Sequence, residues 1–247
     1  MIIDVHCHLD FEQFDGDRDE VIERAKQNNV KIIISNGTNL EKNKKVLELS
    51  KKYDIIKPAF GLYPTEAESM SEKEITEIFD FIKKNKPVAI GEVGLDLKHG
   101  KNIEKQKKVL EKMIDLSKKL DIPLIVHSWK AEKETLELLK ENEAEKVIMH
   151  CFCGNAELTE EAESLGYSFS IPASIVKSKT FRKLAKRIQL KSILTETDAP
   201  FLSPYEGKRN EPAYIKETIK KIAEIKKITE EELENIIFMN YQNLFKK

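Results

Sequence analysis

The sequence predicts an α/β protein that folds as a (β/α)8 TIM barrel with an additional C-terminal helix. Eight short β-branched runs are each followed by a charged segment with helical apolar spacing, a pattern typical of parallel βα units. Eight units in 247 residues give about 31 residues per unit, close to the ~250 residues typical of such barrels. No Pro/Gly/Ser-rich linker interrupts the chain, so we expect one domain over residues 1–247. A doubly wound sheet is the alternative, although no Gly-rich nucleotide-binding motif follows any run.

The predicted elements follow one another in a regular order. Strands are expected at Ile2–His8, Val30–Asn36, Ile55–Leu62, Val88–Gly94, Leu124–His127, Val147–His150, Tyr167–Ile171 and Ser192–Thr197. Helices with one apolar face are expected at Asp17–Asn29, Lys42–Tyr53, Ser71–Asn85, Glu104–Leu120 and Ala131–Asn142, and an additional helix at Thr229–Phe245. Capping signals support two of these starts, because Ser71 precedes Glu74 by three residues and Thr229 precedes Glu232 by three.

Composition and charge exclude several classes of protein. The 42 basic and 43 acidic side chains leave a net charge of −1, so global charge does not indicate a general nucleic-acid or membrane binder. No apolar run approaches the ~18 residues of a membrane-spanning helix, and the first residues do not resemble a signal peptide. Three cysteines suit reduced thiols better than disulfides. We therefore expect a cytoplasmic protein without membrane association or a stable protein partner.

Four of the five histidines end predicted strands. His6 and His8 lie two residues apart in the first strand, so their side chains point to the same face, with Asp4 behind them. His127 and His150 end the fifth and sixth strands. Two imidazoles that converge from one strand are a reasonable start to a metal site.

Carboxylates recur at the same depth as these histidines. The separations along the series His6, Glu92, His127, His150 and Asp198 are 86, 35, 23 and 48 residues. These residues belong to predicted strands 1, 4, 5, 6 and 8. The separation per successive strand is therefore about 29, 35, 23 and 24 residues, and each value is compatible with one βα unit. Catalytic residues of these barrels collect at the C-terminal strand ends, so the coincidence predicts a metal site there.

The mixed ligand set indicates hydrolytic metal chemistry. Imidazoles and carboxylates suit divalent ions such as Zn, Mn, Mg, Co or Ni, and a pair of ions can share a bridging carboxylate and activate a water. Asp198 lies nearer the strand end than Glu196, so it is the better ligand and a candidate proton acceptor. Glu196 is then expected to support a metal-bound histidine. Cys7 should point away from the site, while Cys153 falls in a loop at the mouth.

Several motifs together resemble the TatD family of metal-dependent deoxyribonucleases, within the amidohydrolase superfamily. They are Asp4-Val-His6-Cys-His8-Leu-Asp10, Gly91-Glu92-Val-Gly94-Leu-Asp96, His127-Ser128, His150-Cys-Phe-Cys-Gly154, Glu196-Thr-Asp198-Ala-Pro200 and Gly207-Lys-Arg209-Asn210-Glu-Pro212. The motifs occur in the family's order and cover nearly the whole chain.

This resemblance implies two divalent ions per chain and DNA as the substrate. His6, His8, Glu92 and Asp198 would surround one ion. Glu92, His127 and His150 would surround the other, with Glu92 as the bridge. Members of the family are associated with hydrolysis of DNA, often as exonucleases on single strands or by removal of damaged 3′ ends.

Candidate substrate contacts come from the predicted rim. Where the family commonly has Gly-x-His-Pro-His, this chain has Tyr63 and Thr65 in place of the histidines, and Trp129 replaces the arginine of His-Ser-Arg. Tyr63 and Trp129 are candidates for stacking on bases. Seven basic and no acidic residues lie between positions 176 and 191, which makes Lys177 and Lys179 candidates for phosphate contact.

Further contacts are expected after the eighth strand and after the fourth. Arg209 and Asn210 are candidates through their motif, and His99 through its place in the loop after the fourth strand. Two other functions stay open at this level. One is hydrolysis of a small phosphoester, ester or cyclic amide, and the other is a non-catalytic barrel that is stabilised by metal and binds a partner.

Overall fold

The computed structural model describes residues 1–245, and its architecture is the predicted (β/α)8 barrel. Eight parallel strands form one sheet in the order of the chain, each hydrogen-bonded to the next. They are β1 (Ile2–Cys7), β2 (Val30–Asn36), β3 (Ile56–Phe60), β4 (Ala89–Asp96), β5 (Leu124–Trp129), β6 (Val147–His150), β7 (Ser168–Ile171) and β8 (Ile193–Thr195). The segment after β8 returns to β1, since Asp198 N donates to His6 O at 2.9 Å.

Helices surround the sheet. They are α1 (Arg18–Gln27), α2 (Leu40–Lys52), α3 (Pro64–Ser69), α4 (Glu72–Asn85), α5 (Ile103–Leu120), α6 (Glu132–Glu141), α7 (Ala156–Ser164), α8 (Lys179–Arg187), α9 (Ile215–Lys226) and α10 (Glu230–Phe245). The capping box of Ser71 and Glu74 is confirmed, and Thr229 Oγ1 accepts from Glu232 N at the start of α10. Helix α10 is the predicted additional helix. Within residues 1–245, no helix combines the length and hydropathy needed to cross a membrane.

The strand ends differ from the prediction where side chains replace backbone partners. Strand β8 stops at Thr195 instead of Thr197, because Asp4 Oδ1 accepts from Thr197 N at 3.0 Å in place of a neighbouring carbonyl. Strands β4 and β5 continue beyond Gly94 and His127, since Leu95 pairs with Ser128 and Asp96 with Trp129. Glu92 therefore lies four residues before the end of β4, His127 two residues before the end of β5, and Asp198 three residues beyond β8.

Two glycines allow close packing around β4. Gly94 has a φ of +145°, and a Cβ there would lie 1.9 Å from the carbonyl oxygen of His127. A Cβ on Gly61 would lie 2.4 Å from the carbonyl oxygen of Glu92. Only glycine fits these contacts, so both residues let the backbones that carry His127 and Glu92 come together.

Candidate metal centre

The carboxylate of Glu92 lies between two groups of ligand atoms. Glu92 Oε2 lies 3.7 Å from His6 Nε2 and 3.3 Å from His8 Nε2. Its other oxygen, Oε1, lies 2.9 Å from His127 Nδ1 and 3.8 Å from His150 Nε2. One side chain, buried on β4, thus faces imidazoles from both sides of the barrel.

Asp198 completes the first group. Its Oδ1 lies 3.5 Å from both His6 Nε2 and His8 Nε2, and these two nitrogens are 3.1 Å apart. The residue has a left-handed backbone, with a φ of 57°, at the turn that follows β8. An open cavity lies above the two groups, lined among others by His8, Glu92, His127, His150 and Asp198. The Asp198 side chain is 14% exposed and that of Glu92 is 4% exposed, so Asp198 is the more accessible of the two carboxylates from this cavity.

These distances fit the coordination shells of divalent ions. Two ligand atoms bound to one tetrahedral zinc are about 3.3–3.6 Å apart, and neighbouring ligands on an octahedral magnesium about 3.0 Å, given the usual bond lengths. The separations within the first group are 3.1–3.5 Å, and Glu92 Oε2 lies 3.7 and 3.3 Å from the His6 and His8 nitrogens, all in or near this range. Within the first group, and likewise within the trio of Glu92, His127 and His150, the ligand atoms all lie within 4.8 Å of one another. The donor set therefore suits divalent cations.

In three of the histidines, the ring nitrogen that faces away from Glu92 contacts a polar atom. His8 Nδ1 lies 2.9 Å from the carbonyl oxygen of Asn36, and His150 Nδ1 lies 2.7 Å from Glu196 Oε2. His127 Nε2 lies 3.1 Å from the hydroxyl of Tyr63. Such contacts orient an imidazole and leave the opposite nitrogen free for a metal. His6 Nδ1 is buried without a partner among the described residues.

Glu196 forms the best-connected support beneath the cluster. Besides His150, it accepts hydrogen bonds from the Ser170 hydroxyl at 2.5 Å and from Cys151 N at 3.0 Å, while the Cys151 thiol lies 2.8 Å from its Oε1. The pKa of His150 follows from this contact. Burial alone would lower the pKa, but the charge and hydrogen bond of Glu196 outweigh burial and raise it to about 9.

The carboxylates of Glu92 and Asp198 and the imidazoles around them shift one another's pKa values. Burial by itself would raise the pKa values of Glu92 and Asp198, but the surrounding histidines hold both well below their usual range. The same contacts raise the pKa values of His8 and His127 against the effect of burial. Burial, followed by the nearby charge of His150, lowers the pKa of His6. Attraction between the imidazoles and the two carboxylates thus outweighs the cost of burial at Glu92, Asp198, His8 and His127.

Asp4 lies behind the cluster, and its carboxyl group contacts Thr197 and the backbone of His6 but none of the histidine rings. Its Oδ2 accepts from the Thr197 hydroxyl at 2.5 Å, and its Oδ1 accepts from His6 N at 3.2 Å. Burial raises its pKa to about 8. The carboxyl group therefore joins β1 to the segment that carries Asp198.

Two of the expected substrate contacts lie outside the cavity. Arg209 forms a paired contact with Asp17 at 2.6 and 2.8 Å and stacks over the ring of Phe14. Asn210 is fully buried and donates to the carbonyl oxygen of Thr197 at 2.7 Å. Neither lines the cavity above Glu92. The reason is that the loop after β8 folds back onto α1, so this motif supports the turn at Asp198.

The other expected contacts are at or near the mouth. Tyr63, Trp129 and His99 line the cavity. Lys177, just before α8, and Lys179, its first residue, are exposed outside the cavity, although Phe181 of α8 lines it. The structure also adds residues that the sequence analysis did not name as site residues: Phe11, Phe181, Phe201 and Leu202 line the cavity, and Asn36 contacts His8. Phe11 and Phe201 each lie three residues after a candidate ligand, a signal that was available.

Cysteine placement is mixed. Cys7 is buried with its thiol 3.7 Å from the carbonyl oxygen of Ile34, away from the cavity. Cys151 and Cys153 both line the cavity. Burial raises the pKa of the Cys153 thiol to about 11, so at neutral pH it is a thiol and not a thiolate.

Comparison with known proteins agrees with this geometry. A sequence model of the family described as TatD related DNase matches residues 3–246. The metal-dependent hydrolase YabD of Bacillus subtilis (strain 168), itself uncharacterised, is 39% identical over 253 residues, which cover 100% of this chain and 99% of YabD. Human deoxyribonuclease TATDN3 is 37% identical over 260 residues, which cover 100% of this chain and 95% of the human protein.

A solved structure extends the similarity to three dimensions. The TatD homologue YJJV from Escherichia coli K12 superposes with a TM-score of 0.92 at 30% identity, covering 100% of this chain and 98% of YJJV. Similarity of this extent covers the barrel and every element that carries a candidate ligand. The chain therefore belongs to the TatD family and is a metal-dependent hydrolase.

Proposed function

We propose that this chain is a deoxyribonuclease that hydrolyses phosphodiester bonds of DNA with two divalent ions. The observation that carries the proposal is the position of Glu92, whose two oxygens face two separate sets of ligand atoms. A single ion would need only one set. The human relative named a deoxyribonuclease supports DNA as the substrate.

The proposed ligand assignment follows the two groups. His6, His8 and Asp198 would hold one ion, His127 and His150 the other, and Glu92 would bridge them. When bound, two such ions supply activation of water for attack on phosphorus and stabilisation of the leaving oxygen. The donor set leaves the identity of the metal open among Zn, Mn, Mg, Co and Ni.

The protein side chains position and exchange protons around this centre. Glu92 fixes the positions of both sets of imidazoles relative to each other, and Glu196 orients His150 through the contact with its Nδ1. Asp198 is the carboxylate nearest the cavity, so we assign it first as a ligand and second as the acceptor of the proton that the attacking water loses. The Tyr63 hydroxyl donates a hydrogen bond to Asp96 Oδ2 at 3.0 Å and lies 3.1 Å from His127 Nε2, which orients the His127 ring.

Helix α8 carries a basic face that could attract phosphate groups. The exposed residues Lys179, Lys183 and Lys186 lie on one face of α8, and no ion pair involves them in the described part of the chain. Phe181 of the same helix lines the cavity. The basic face lies on the other side of α8 from Phe181, so a single strand that leaves the cavity and passes over α8 would meet it and gain affinity without sequence preference.

The deciding experiment is degradation of an end-labelled single-stranded DNA oligonucleotide by chelator-treated protein, with Mg, Mn or Zn restored separately. We expect metal-dependent shortening that is lost in Glu92→Gln and Asp198→Asn. Protein that rebinds two ions but cleaves no oligonucleotide with any metal would refute the proposal.

A second candidate is hydrolysis of a small phosphoester, ester or cyclic amide. It is favoured by one observation: none of the described residues that line the cavity is a lysine or an arginine. Removing the basic face of α8 discriminates the two candidates, since only a polymeric substrate extends that far.

A further inference from the structure

The cavity above the candidate metal centre has two aromatic walls. Its volume is about 800 Å³, in the upper part of the 300–1,000 Å³ usual for ligand sites. Apart from the candidate ligands, its charged lining residues are Glu66 and Glu132, and six of its lining residues carry rings: Phe11, Tyr63, His99, Trp129, Phe181 and Phe201. Beyond the metal centre, the cavity thus attracts flat apolar groups better than it attracts additional phosphates.

The first wall adjoins the group of His6, His8 and Asp198. Phe201 is 47% exposed and meets the ring of Phe11 edge to face, with centroids 5.9 Å apart. Phe11 in turn stacks on His8 at 4.7 Å. The backbone of Phe201 is held by a hydrogen bond from its N–H to Asp198 O at 2.8 Å. This wall is therefore fixed relative to one set of candidate ligands.

The second wall adjoins the group of His127 and His150. Trp129 ends β5, two residues after His127, and is also 47% exposed. Its ring meets His99 edge to face at 5.0 Å and His127 at 6.3 Å. Leu97 N donates to Trp129 O at 2.9 Å, so the residue is held by the pairing of β4 and β5. Each set of ligands thus has its own exposed aromatic side chain.

From this arrangement we propose that Phe201 and Trp129 are stacking platforms for the two unpaired nucleobases that flank the scissile phosphate. The inference rests on the proposed deoxyribonuclease function and adds to it a base-binding site on each side of the metal centre. Large aromatic surfaces left open beside a catalytic centre gain free energy when a flat ring covers them. Every base has such a face, so the recognition does not depend on sequence.

A binding test uses the fluorescence of Trp129, the single tryptophan of the chain. The probe is a short single-stranded oligonucleotide with phosphorothioate linkages, which slow its cleavage by the metal-loaded enzyme. Its partner probe carries tetrahydrofuran residues in place of the nucleosides. We expect saturable quenching with the first probe and little with the second. Equal quenching by both probes would overturn the proposal.

A kinetic test separates stacking from support of the metal centre. Stacking on a base contributes equally to ground and transition states, so Trp129→Ala and Phe201→Ala should raise KM by about 5- to 100-fold with kcat nearly unchanged. Trp129→Phe should restore most of the loss. The base-free substrate should show no such penalty. Tyr205→Ala, which removes an aromatic side chain that is 40% exposed outside this cavity, is the matched control.

The outcomes distinguish the two proposals. Cleavage of base-containing and base-free strands with the same KM, or an equal penalty of the variants on both, would overturn the stacking site alone. Failure of the wild-type enzyme to cleave any oligonucleotide would instead overturn the proposed deoxyribonuclease function. Metal content measured on each variant confirms that the centre is intact.

Discussion

The candidate metal centre and the cavity mouth above it are built in opposite ways. The centre is buried, and its polar atoms nearly all have partners: His8 faces Asn36, His150 faces Glu196 and His127 faces Tyr63. The mouth exposes the rings of Phe201 and Trp129, each of which is 47% exposed. Under the proposed function, we expect the centre to tolerate little change, whereas the mouth would select the substrate and could vary.

The largest effect is expected at Glu92. Glu92→Gln removes a buried charge that faces four imidazoles, and loss of one partner in a buried ionic set costs about 3–5 kcal/mol. We therefore expect metal affinity, and with it kcat/KM, to fall by about 10²- to 10⁴-fold. Metal titration and oligonucleotide cleavage measure the two. Glu132→Gln, at the mouth of the same cavity, is the control. Similar effects from both variants would remove the contrast.

Glu196 should show the next effect. Glu196→Gln keeps the shape of the side chain but removes the charge beside His150, and such supports typically change metal affinity by about 10- to 100-fold. Ser170→Ala, which removes another hydrogen bond to the same carboxylate oxygen, should have a smaller effect. Competition with a chelator dye measures both variants. An undiminished affinity in Glu196→Gln would show that His150 needs no charged support.

Metal binding should depend on pH in a definite direction. Contacts with the carboxylates raise the pKa values of His8 and His127, and Glu196 raises that of His150 to about 9, so the His150 imidazole holds a proton at neutral pH in the metal-free protein. A protonated nitrogen cannot bind a metal, so loading must release protons and affinity must rise between pH 7 and 9. Each released proton contributes up to about tenfold per pH unit.

Calorimetry measures this release when the titration is repeated in buffers with different ionisation enthalpies. Uptake of protons, or an affinity that is constant across this pH range, would contradict the charge arrangement described for the metal-free cluster.

The smallest effect is expected outside the cavity. The combined variant Lys179→Ala, Lys183→Ala and Lys186→Ala should weaken binding of single-stranded DNA by about tenfold at low salt and reduce the salt slope by about 2. Removal of three exposed lysines elsewhere, Lys84, Lys108 and Lys119, provides the control with the same change in charge. If the enzyme acts on a small substrate, neither triple variant should change its activity, and that result would favour the alternative hydrolase.

The sequence predicts the centre better than the rim for a physical reason. A candidate ligand at a strand end is placed by the strand itself, because all eight parallel strands end at the same side of the barrel. The rim is made of loops, whose course depends on distant contacts. Arg209 was expected at the substrate, but its pairing with Asp17 directs it to α1. The position of Phe201 three residues after Asp198 is visible in the sequence, but its exposure beside the ligands follows from the turn at Asp198.

By itself the sequence determined the barrel, the order of its strands and the residues that the strand ends bring together, since alternating side chains and repeating units are local properties of the chain. Only the tertiary structure decided which oxygen of Glu92 faces which imidazoles, that Asp4 binds Thr197, and that two aromatic rings flank the centre. These features depend on contacts between residues far apart in the chain, up to the 193 positions that separate Asp4 from Thr197. No local pattern encodes such distances.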